Sequence, residues 1–432
     1  MSKDQRKQIL ILGGGFAGLY AAMELEKTLG RDPDVEITLV NRENFFLFTP
    51  MLHEVAASDL DITTIVNPVR RMLRRVNFLA GEVERIDLPN KQVDVSHGFD
   101  HHGHSLKYDF LVLGLGSVTN FHNLPGLEER ALTMKSLGDA TTLRNRLIAH
   151  LEEADSDCCR EKEPLLTFVA GGGFAGVETV AGINDFLRDV LPSYPHLREQ
   201  LLRVVLVHPG PVILPELDEK LGTYAQEKLA ERKVEIRVNT KVVAVSDEGV
   251  KLSDGSMIEG KTLIWTAGTS PHPLTQSLPC VKERGRLTTN ERLELPDWPG
   301  VWALGDCAAV PDLKTGQACP LTAQHALRQG KVVAHNVRAA VRGGDSKRFV
   351  FSTIGQLAAI GRRTRRGQYP GRELLGFYRL VALAHHLSQQ TSRAREEGAC
   401  RPGLDAGSPV PKGPRSVPHG ASAKHLPDRA GR

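Results

Sequence analysis

The sequence predicts an α/β protein with two Rossmann-like dinucleotide-binding domains and an atypical, disordered C-terminal tail. The first observation is residues 9–18, four apolar residues followed by Gly-Gly-Gly-Phe-Ala-Gly. The second is residues 166–178, which repeat those six residues without change. The third is the scarcity of large apolar residues after Leu387. Each glycine segment follows an apolar strand and opens a helix, the context that a dinucleotide fingerprint requires.

The glycines of each copy stand at the positions that a bound dinucleotide needs. Gly13 permits the tight turn, Gly15 lets the backbone approach a pyrophosphate, and Gly18 allows close contact between strand and helix. The phosphate groups lie at the positive N-terminus of the helix. A single fingerprint is a weak signal, but two copies indicate two dinucleotides held near each other. The predicted binding residues are Gly13, Gly15, Phe16, Ala17, Gly18, Gly171, Gly173, Phe174 and Gly176.

Composition limits the class of protein. An apolar fraction of 41% and a charged fraction of 25% are ordinary for a soluble globular chain, and 432 residues suffice for two or three domains. The six cysteines include no C-x-x-C, so we expect a reducing compartment and neither a disulfide framework nor a metal site. We expect no signal peptide and no membrane-spanning helix. Residues 365–432 hold 12 basic and 5 acidic residues, so the main body gives no indication of nucleic-acid binding.

Taken in order, the first unit continues with a strand over residues 36–40. An acidic residue normally follows such a strand and binds the adenosine ribose. Asn41 and Arg42 stand there instead; Asn41 can still bond a ribose hydroxyl but carries no charge. An aromatic, turn-rich segment over 44–57 leads into a helix, and residues 83–95 predict a hairpin. The histidines that follow are interpreted as a solvated loop rather than a metal site: His101, His102 and His104.

The second unit repeats this plan after a connecting helix over residues 136–154. Its second strand, residues 203–207, ends at His208, again without an acid, which weakens the argument for NAD over NADP. A helix is predicted over 216–232, and a strand ending at Gly268 closes the unit. A later strand ends in Gly305-Asp306, where a carboxylate can accept hydrogen bonds from a ribityl chain or cap a helix. A helix over 321–341 follows.

With these motifs the chain resembles the flavin-dependent pyridine-nucleotide oxidoreductases, whose fold is glutathione-reductase-like. The resemblance implies FAD at the first fingerprint, NADH at the second with NADPH not excluded, and a second FAD motif at Gly305-Asp306. Disulfide reductases and sulfide:quinone reductases of this superfamily need cysteines close to the flavin. Residues 45–55 contain none, and Cys307 lacks a partner at the expected place. The disulfide interpretation therefore fails.

Within the superfamily the chain resembles the type II NADH:quinone oxidoreductases. Residues 323–330, Ala-Gln-His-Ala-Leu-Arg-Gln-Gly, match the quinone-site pattern A-Q-x-A-x-x-Q-G at every fixed position, and residues 48–52 resemble a flavin-contacting segment. The resemblance covers about residues 7–364 and implies hydride transfer from NADH to FAD, then two electrons to a membrane quinone without proton pumping. Gln324 and Gln329 would border the quinone and Glu178 the nicotinamide. The remaining site residues implied are Thr49, Pro50 and Ala323.

The domain boundaries predicted on this basis are 1–125 and 286–364 for the FAD-binding domain and 126–285 for the NAD(P)H-binding domain. In the family, the region corresponding to residues 365–432 is an amphipathic membrane anchor. Here Thr391 to Arg432 cannot bury enough surface to fold. Reading permitted codons one base later restores Trp- and Lys-containing sequence, so we hypothesise a frameshift near residues 364–367.

The partners that follow are a quinone and, for the family, the cytoplasmic face of the cell membrane. A chain that has lost its anchor is expected in the cytoplasm, and a homodimer is left open. Two other functions fit the fingerprints. One is a ferredoxin- or rubredoxin-type NAD(P)H reductase, against which the quinone-site pattern argues. The other is an NAD(P)H-binding flavoprotein sensor with little turnover, which flavin re-oxidation by quinone would distinguish.

Overall fold

The computed structural model describes residues 6–156, 165–260, 262–353, 355–361, 365–369 and 372–375. The helices are α1 (Phe16–Leu29), α2 (Leu52–Ala56), α3 (Ile62–Ile65), α4 (Val69–Met72), α5 (Leu127–Arg130), α6 (Leu137–Asp155), α7 (Phe174–Val190), α8 (Glu219–Glu231), α9 (Leu274–Ser277) and α10 (Ala323–Arg342). The strands are β1 (Lys7–Leu12), β2 (Val35–Asn41), β3 (Phe45–Leu47), β4 (Val66–Pro68), β5 (Asn77–Ala80), β6 (Glu82–Asp87), β7 (Gln92–His97), β8 (His102–Lys107), β9 (Phe110–Leu113), β10 (Ser117–Thr119), β11 (Leu165–Ala170), β12 (Leu202–Val207), β13 (Val234–Arg237), β14 (Val242–Ser246), β15 (Gly249–Leu252), β16 (Met257–Ile258), β17 (Thr262–Trp265), β18 (Thr269–Pro271), β19 (Lys282–Glu283), β20 (Arg286–Thr288), β21 (Val301–Ala303), β22 (Ala308–Ala309), β23 (Gln356–Ala359), β24 (Arg365–Tyr369) and β25 (Arg372–Leu375).

The first unit is a five-stranded parallel sheet in the order β21-β9-β1-β2-β5. The central strand β1 is covered on both faces, and its residues from Ile9 to Leu12 are at most 3% exposed. Burial on both faces explains why this strand is a continuous apolar run instead of an alternating one. The chain leaves β1 toward β2 on one side and reaches β9 on the other. In such sheets a ligand binds in the crevice at the carboxyl ends of these strands.

The second unit repeats the arrangement with the parallel order β13-β12-β11-β17. Helix α7 follows β11 as α1 follows β1. Each unit also carries a three-stranded antiparallel sheet, β6-β7-β8 in the first and β14-β15-β16 in the second. The predicted α/β fold with two dinucleotide-binding units is therefore confirmed.

The two units contact each other through a pair of strands and through the packing of a short helix. Strands β10 and β18 pair antiparallel, with Ser117 opposite Pro271 and Thr119 opposite Thr269. The short helix α2 belongs to the first unit, but its residues Leu52 and Val55 pack in a core shared with α6 and α7. The first unit is itself closed by α10, which packs along α1. Ligands of such sheets bind at the carboxyl ends of the strands. The region where those strand ends and the glycine loops of the two units lie is called the cleft.

Several elements differ from the sequence predictions. His102 and His104 lie in strand β8 instead of a loop, paired with His97 and Val95 of β7. The helix predicted from residue 216 begins at Glu219, because Asp218 caps it by accepting the Lys220 N–H at 2.9 Å. Residues 365–369 and 372–375 form β24 and β25, which extend β23, although the aberrant tail was predicted from residue 365. The disorder and the frameshift proposed for the tail concern residues that lie largely outside those described.

In the part of the chain that the structure describes, no helix combines the length and the apolar character needed to cross a bilayer.

Candidate functional site

The first glycine loop connects β1 to α1 and forms a close-fitting cradle. Gly13 has a φ of 99°, and a Cβ added there would overlap the carbonyl oxygen of Gly114. A Cβ on Gly18 would overlap the Gly13 carbonyl oxygen, so the loop can turn and the helix can begin only with glycine at both positions. Gly15 meets nothing within 4 Å on its side-chain face. This open face lies beside the first turn of α1, where Phe16 and Ala17 offer N–H groups to an anion.

Asn41 ends β2 and bonds directly to this loop. Its Oδ1 accepts the Gly14 N–H at 2.7 Å, and its Nδ2 donates to the Glu43 carbonyl at 2.8 Å. An acidic side chain could accept from the loop in the same way, so Asn41 retains that structural contact without the charge. Arg42 is exposed and pairs with Glu43 at 3.5 Å. Both predicted residues therefore stand at the rim of the first cradle.

The Gly305-Asp306 turn follows β21 at the same edge of the sheet. Asp306 accepts a hydrogen bond from the Ser117 hydroxyl at 2.8 Å, and Ser117 Oγ accepts one from Lys135 Nζ at 3.1 Å. Burial lowers the pKa of the Lys135 amine, while the nearby Asp306 carboxylate acts in the opposite direction. Ser117 and Lys135 were not predicted as site residues, because neither belongs to a local motif.

Helix α10 holds this turn in place. Gln329 is only 3% exposed, and its Oε1 accepts the Gly305 N–H at 2.8 Å. A Cβ on Gly330 would lie 2.5 Å from the Ala17 carbonyl oxygen, so glycine lets α10 approach α1. Sequence reasoning placed Gln329 at the border of a quinone. The contact that the structure shows for its side chain is the one with the Gly305 N–H.

Gln324 follows Ala323 in the first turn of the same helix. Its Nε2 donates to the Gly355 carbonyl at 2.7 Å, and its buried Oε1 has no hydrogen-bond partner among the residues that the structure describes. The Gly355 carbonyl can only accept, which fixes the orientation of the amide. A buried acceptor without a donor is costly unless a ligand supplies one. This atom is the clearest sign of a ligand beside α10.

The aromatic segment between β2 and α2 packs against the first residue of α1. Phe16 contacts Phe46 and Phe48, with ring centroids 5.0 and 5.6 Å apart. The following turn exposes Thr49 and Pro50. Their predicted role in flavin contact requires such exposure, because buried side chains could not reach a ligand.

The second glycine loop, between β11 and α7, repeats the first. Gly171 has a φ of 105°, and a Cβ on Gly176 would overlap its carbonyl oxygen. His208 takes the place of Asn41 and accepts the Gly172 N–H at its Nδ1, 3.3 Å away. His208 is 7% exposed, and this burial lowers its pKa. Gly268, with a φ of 112°, closes the cleft next to His122.

Glu216 lies against the second loop and was missed by sequence reasoning, which assigned it to a helix. Its Oε1 would be 3.1 Å from a Cβ placed on Gly173, the glycine that a pyrophosphate approaches. Desolvation raises the pKa of this carboxyl, although the residue as a whole is exposed.

Glu178 lies one turn into α7 and reaches across to the C-terminal strand. Its Oε1 accepts the Ala359 N–H at 3.0 Å, and its Oε2 lies 3.5 Å from His53 Nδ1. The side chains of His53 and Glu178 are 11% and 16% exposed. Because His53 comes from α2, this contact joins the first unit, the second unit and β23 at the cleft.

The cysteines offer no redox pair within the described residues. Cys307 is buried, its thiol bonds the carbonyls of Leu113 and Leu304, and burial raises its pKa to about 11. Cys280 and Cys319 are also free thiols. Cys158 and Cys159 lie outside the described part of the chain. No metal-binding cluster of histidine, cysteine or acidic residues occurs among the residues described.

Comparison with known proteins was made for both sequence and structure. Residues 7–330 match the sequence profile described as pyridine nucleotide-disulphide oxidoreductase. A type II NADH:quinone oxidoreductase of Staphylococcus aureus (strain NCTC 8325 / PS 47) is 28% identical over 385 residues, covering 87% of this chain and 92% of that protein. The protein of the same name from Staphylococcus epidermidis (strain ATCC 12228 / FDA PCI 1200) is 28% identical over 386 residues, with the same coverage.

Among solved structures, NDH2 from Plasmodium falciparum in complex with NADH superposes with a TM-score of 0.81 at 19% identity, covering 91% of this chain and 97% of that one. The sulfide:quinone oxidoreductase from Aquifex aeolicus gives a TM-score of 0.71 at 16% identity, covering 90% and 92%. At such identities these structures establish the shared fold.

Proposed function

The chain belongs to the pyridine nucleotide-disulphide oxidoreductase family, and from that premise we propose that it is an FAD-dependent enzyme that passes electrons from NADH to a quinone. The observation that carries the proposal is the segment 355–359. At one end Gly355 accepts from Gln324 of the first unit, and at the other Ala359 donates to Glu178 of the second. The side chains proposed for the quinone site and for the nicotinamide site therefore bond opposite ends of one short segment.

The first cradle fits FAD. Gly15 leaves open space on its side-chain face, and Asp306 keeps one carboxylate oxygen for a ribityl hydroxyl while the other accepts from Ser117. When bound, FAD supplies the two-electron chemistry that no side chain provides. The residues that would hold it are Gly13, Gly15, Phe16, Ala17, Gly18, Asn41, Arg42, Thr49, Pro50, Gly305 and Asp306.

The second cradle would bind NADH, with the pyrophosphate at the N-terminus of α7. Gly171, Gly173, Phe174 and Gly176 supply the loop, and His208 and Gly268 border it. Glu178 would orient the nicotinamide end of the bound NADH, because its carboxylate is already held in place by Ala359 and His53. The relatives named NADH:quinone oxidoreductase and the NADH complex of similar fold support this choice of nucleotide.

Gln324 would contact the quinone. Its free atom is an acceptor, and a quinone gains O–H donors only when it is reduced. An acceptor whose hydrogen bond forms as the quinone oxygen gains its proton bonds the transition state better than the substrate, and such an interaction speeds the step. Gln329 takes part indirectly by holding Gly305. We further propose that the quinone is a membrane quinone and that the reaction pumps no protons.

Stopped-flow flavin absorbance on the purified chain tests this function. NADH should bleach the flavin, and a water-soluble quinone should restore its absorbance. Gln324→Leu should leave bleaching unchanged and slow the quinone-driven recovery about tenfold, since it removes one hydrogen bond to the product. Gln317→Leu, which alters an exposed glutamine in the preceding turn, is the matched control.

Two results would contradict parts of this proposal. Bleaching without recovery by any quinone would favour the ferredoxin-type reductase or the sensor. Equal recovery in the wild-type and Gln324→Leu proteins would contradict the role of the amide oxygen while leaving the overall reaction intact.

A further inference from the structure

We infer that Glu216 makes the second cradle select NADH over NADPH by accepting hydrogen bonds from the adenosine ribose hydroxyls. This inference rests on the proposed function, because it assigns a specificity residue to the nucleotide site named there. In comparable folds an acid at the end of the second strand does this work. Here the acid comes from the loop between β12 and α8.

His208 occupies the usual position but cannot take this part. The Gly172 N–H occupies its Nδ1, and the ring is almost completely buried. Its lowered pKa keeps the imidazole neutral near pH 7. A neutral, buried ring neither attracts nor repels a 2′-phosphate, so His208 leaves the choice of nucleotide undetermined.

The loop after β12 is anchored where it turns back onto the glycines. The Leu214 N–H donates to the Gly172 carbonyl at 2.6 Å, and the Leu214 side chain is 2% exposed. The Ile213 N–H donates to Gln226 Oε1 of α8 at 2.9 Å. With both contacts in place, Glu216 is held two residues beyond Leu214, with its carboxylate beside Gly173.

The electrostatic surroundings of Glu216 suit a diol and not a phosphate. Among the described residues no cation forms an ion pair with its carboxylate. That carboxylate accepts a hydrogen bond from its own backbone N–H and retains further acceptor positions for a ligand. The vicinal hydroxyls of a ribose are donors that match a carboxylate. A 2′-phosphate would bring two like charges within a few ångströms in a partly desolvated cleft, which is strongly unfavourable.

Binding of the oxidised nucleotides tests the inference without turnover. Isothermal titration of the full-length, flavin-loaded protein should give a Kd for NAD+ at least about tenfold below that for NADP+, the size expected for charged hydrogen bonds. Glu216→Gln should reduce this ratio about tenfold, and Glu216→Arg should reverse the preference. Glu227→Gln removes the same charge from an exposed position on α8 and should leave the ratio unchanged.

Two outcomes would overturn the inference: an unchanged ratio of the two Kd values in Glu216→Gln, or equally tighter binding of both nucleotides by that variant. Equal strengthening would mean that the carboxylate faces the pyrophosphate. Failure of the proposed function is separate. A protein that binds NAD+ selectively but does not reduce quinones would refute the quinone reaction and leave the specificity residue established.

Discussion

Gln324 and Gln329 are five residues apart on one helix, and the same motif predicts them both. Their surroundings differ. Gln329 has its oxygen on the Gly305 N–H and is enclosed, whereas Gln324 has its nitrogen on the Gly355 carbonyl and its oxygen unpartnered. Hydrogen-bond satisfaction therefore separates the residue that holds the site from the residue that is available to a ligand.

Lys135 is a second residue whose importance comes from its contacts. We predict that Lys135→Met weakens FAD binding about tenfold, because Ser117 loses its donor and Asp306 loses a nearby positive charge. Lys135→Arg should retain most of the affinity. The Kd is measured from the quenching of flavin fluorescence when FAD is added to apoprotein.

Lys107→Met, a change on the exposed strand β8, serves as the control for loss of one positive charge. If both methionine variants bind FAD like the wild-type protein, the chain from Lys135 through Ser117 to Asp306 does not contribute to the cradle.

At the scale of elements, α10 explains the packing of the first unit. Thr322 caps the helix by accepting the His325 N–H at 3.4 Å, so the motif begins at the first turn. Five residues after His325, Gly330 faces α1 at a distance that excludes any side chain. One helix thus supports the Gly305-Asp306 turn, the glycine loop and the Gly355 segment together.

Gly330→Ala should destabilise the protein by about 1–3 kcal/mol, the usual effect of an extra methyl group in a tightly packed interface. The added Cβ would meet the Ala17 carbonyl oxygen at 2.5 Å, which forces α10 away from α1 and enlarges the FAD cradle. Urea unfolding followed by circular dichroism measures the change, and the flavin content of the purified protein reports on the cradle.

Gly138→Ala in α6 is the matched control, because its Cβ would meet only Ser136 Oγ at an ordinary 3.5 Å. It should be neutral or stabilising by up to about 1 kcal/mol from helix propensity. Similar losses in the two variants would show that the contact between α1 and α10 is not the cause.

At the scale of the whole molecule, the dependence of stability on pH involves three histidines that lie in different parts of the fold and are shielded from solvent. Burial lowers the pKa of His208 in the second unit, of His272 after β18, and of His325 in α10. In the unfolded chain each would titrate near the ordinary value of 6.5. Between the folded and unfolded pKa values the unfolded state binds more protons, so stability rises with pH across that window.

We therefore predict that the free energy of unfolding falls as the pH is lowered from about 7 toward 5.5, since all three imidazoles must gain protons. Urea titrations at half-unit steps measure the slope. His325→Gln should flatten it, and His102→Gln, at a largely exposed position, should not. A pH-independent free energy in the wild-type protein would contradict the prediction.

By itself the sequence determined the two parallel sheets, the two glycine loops and the Gly305-Asp306 turn. These features follow from local rules: apolar runs predict strands buried on both faces, and glycines are required where backbone atoms come into contact. Local rules failed where contacts with residues distant along the chain determined the secondary structure. The histidines of β8 look like a loop in sequence, but pairing with β7 makes them a strand.

Only the tertiary structure decided which polar groups surround the cleft. Lys135 bonds Ser117, 18 residues away, and Ser117 bonds Asp306, 189 residues away. Glu178 bonds Ala359, 181 residues away, and lies beside His53, while Glu216 lies beside Gly173. Such contacts depend on how whole units pack, because a hydrogen bond or a charge acts through space and not along the chain. The sequence specifies the glycine loops, and the packing decides which side chains surround them.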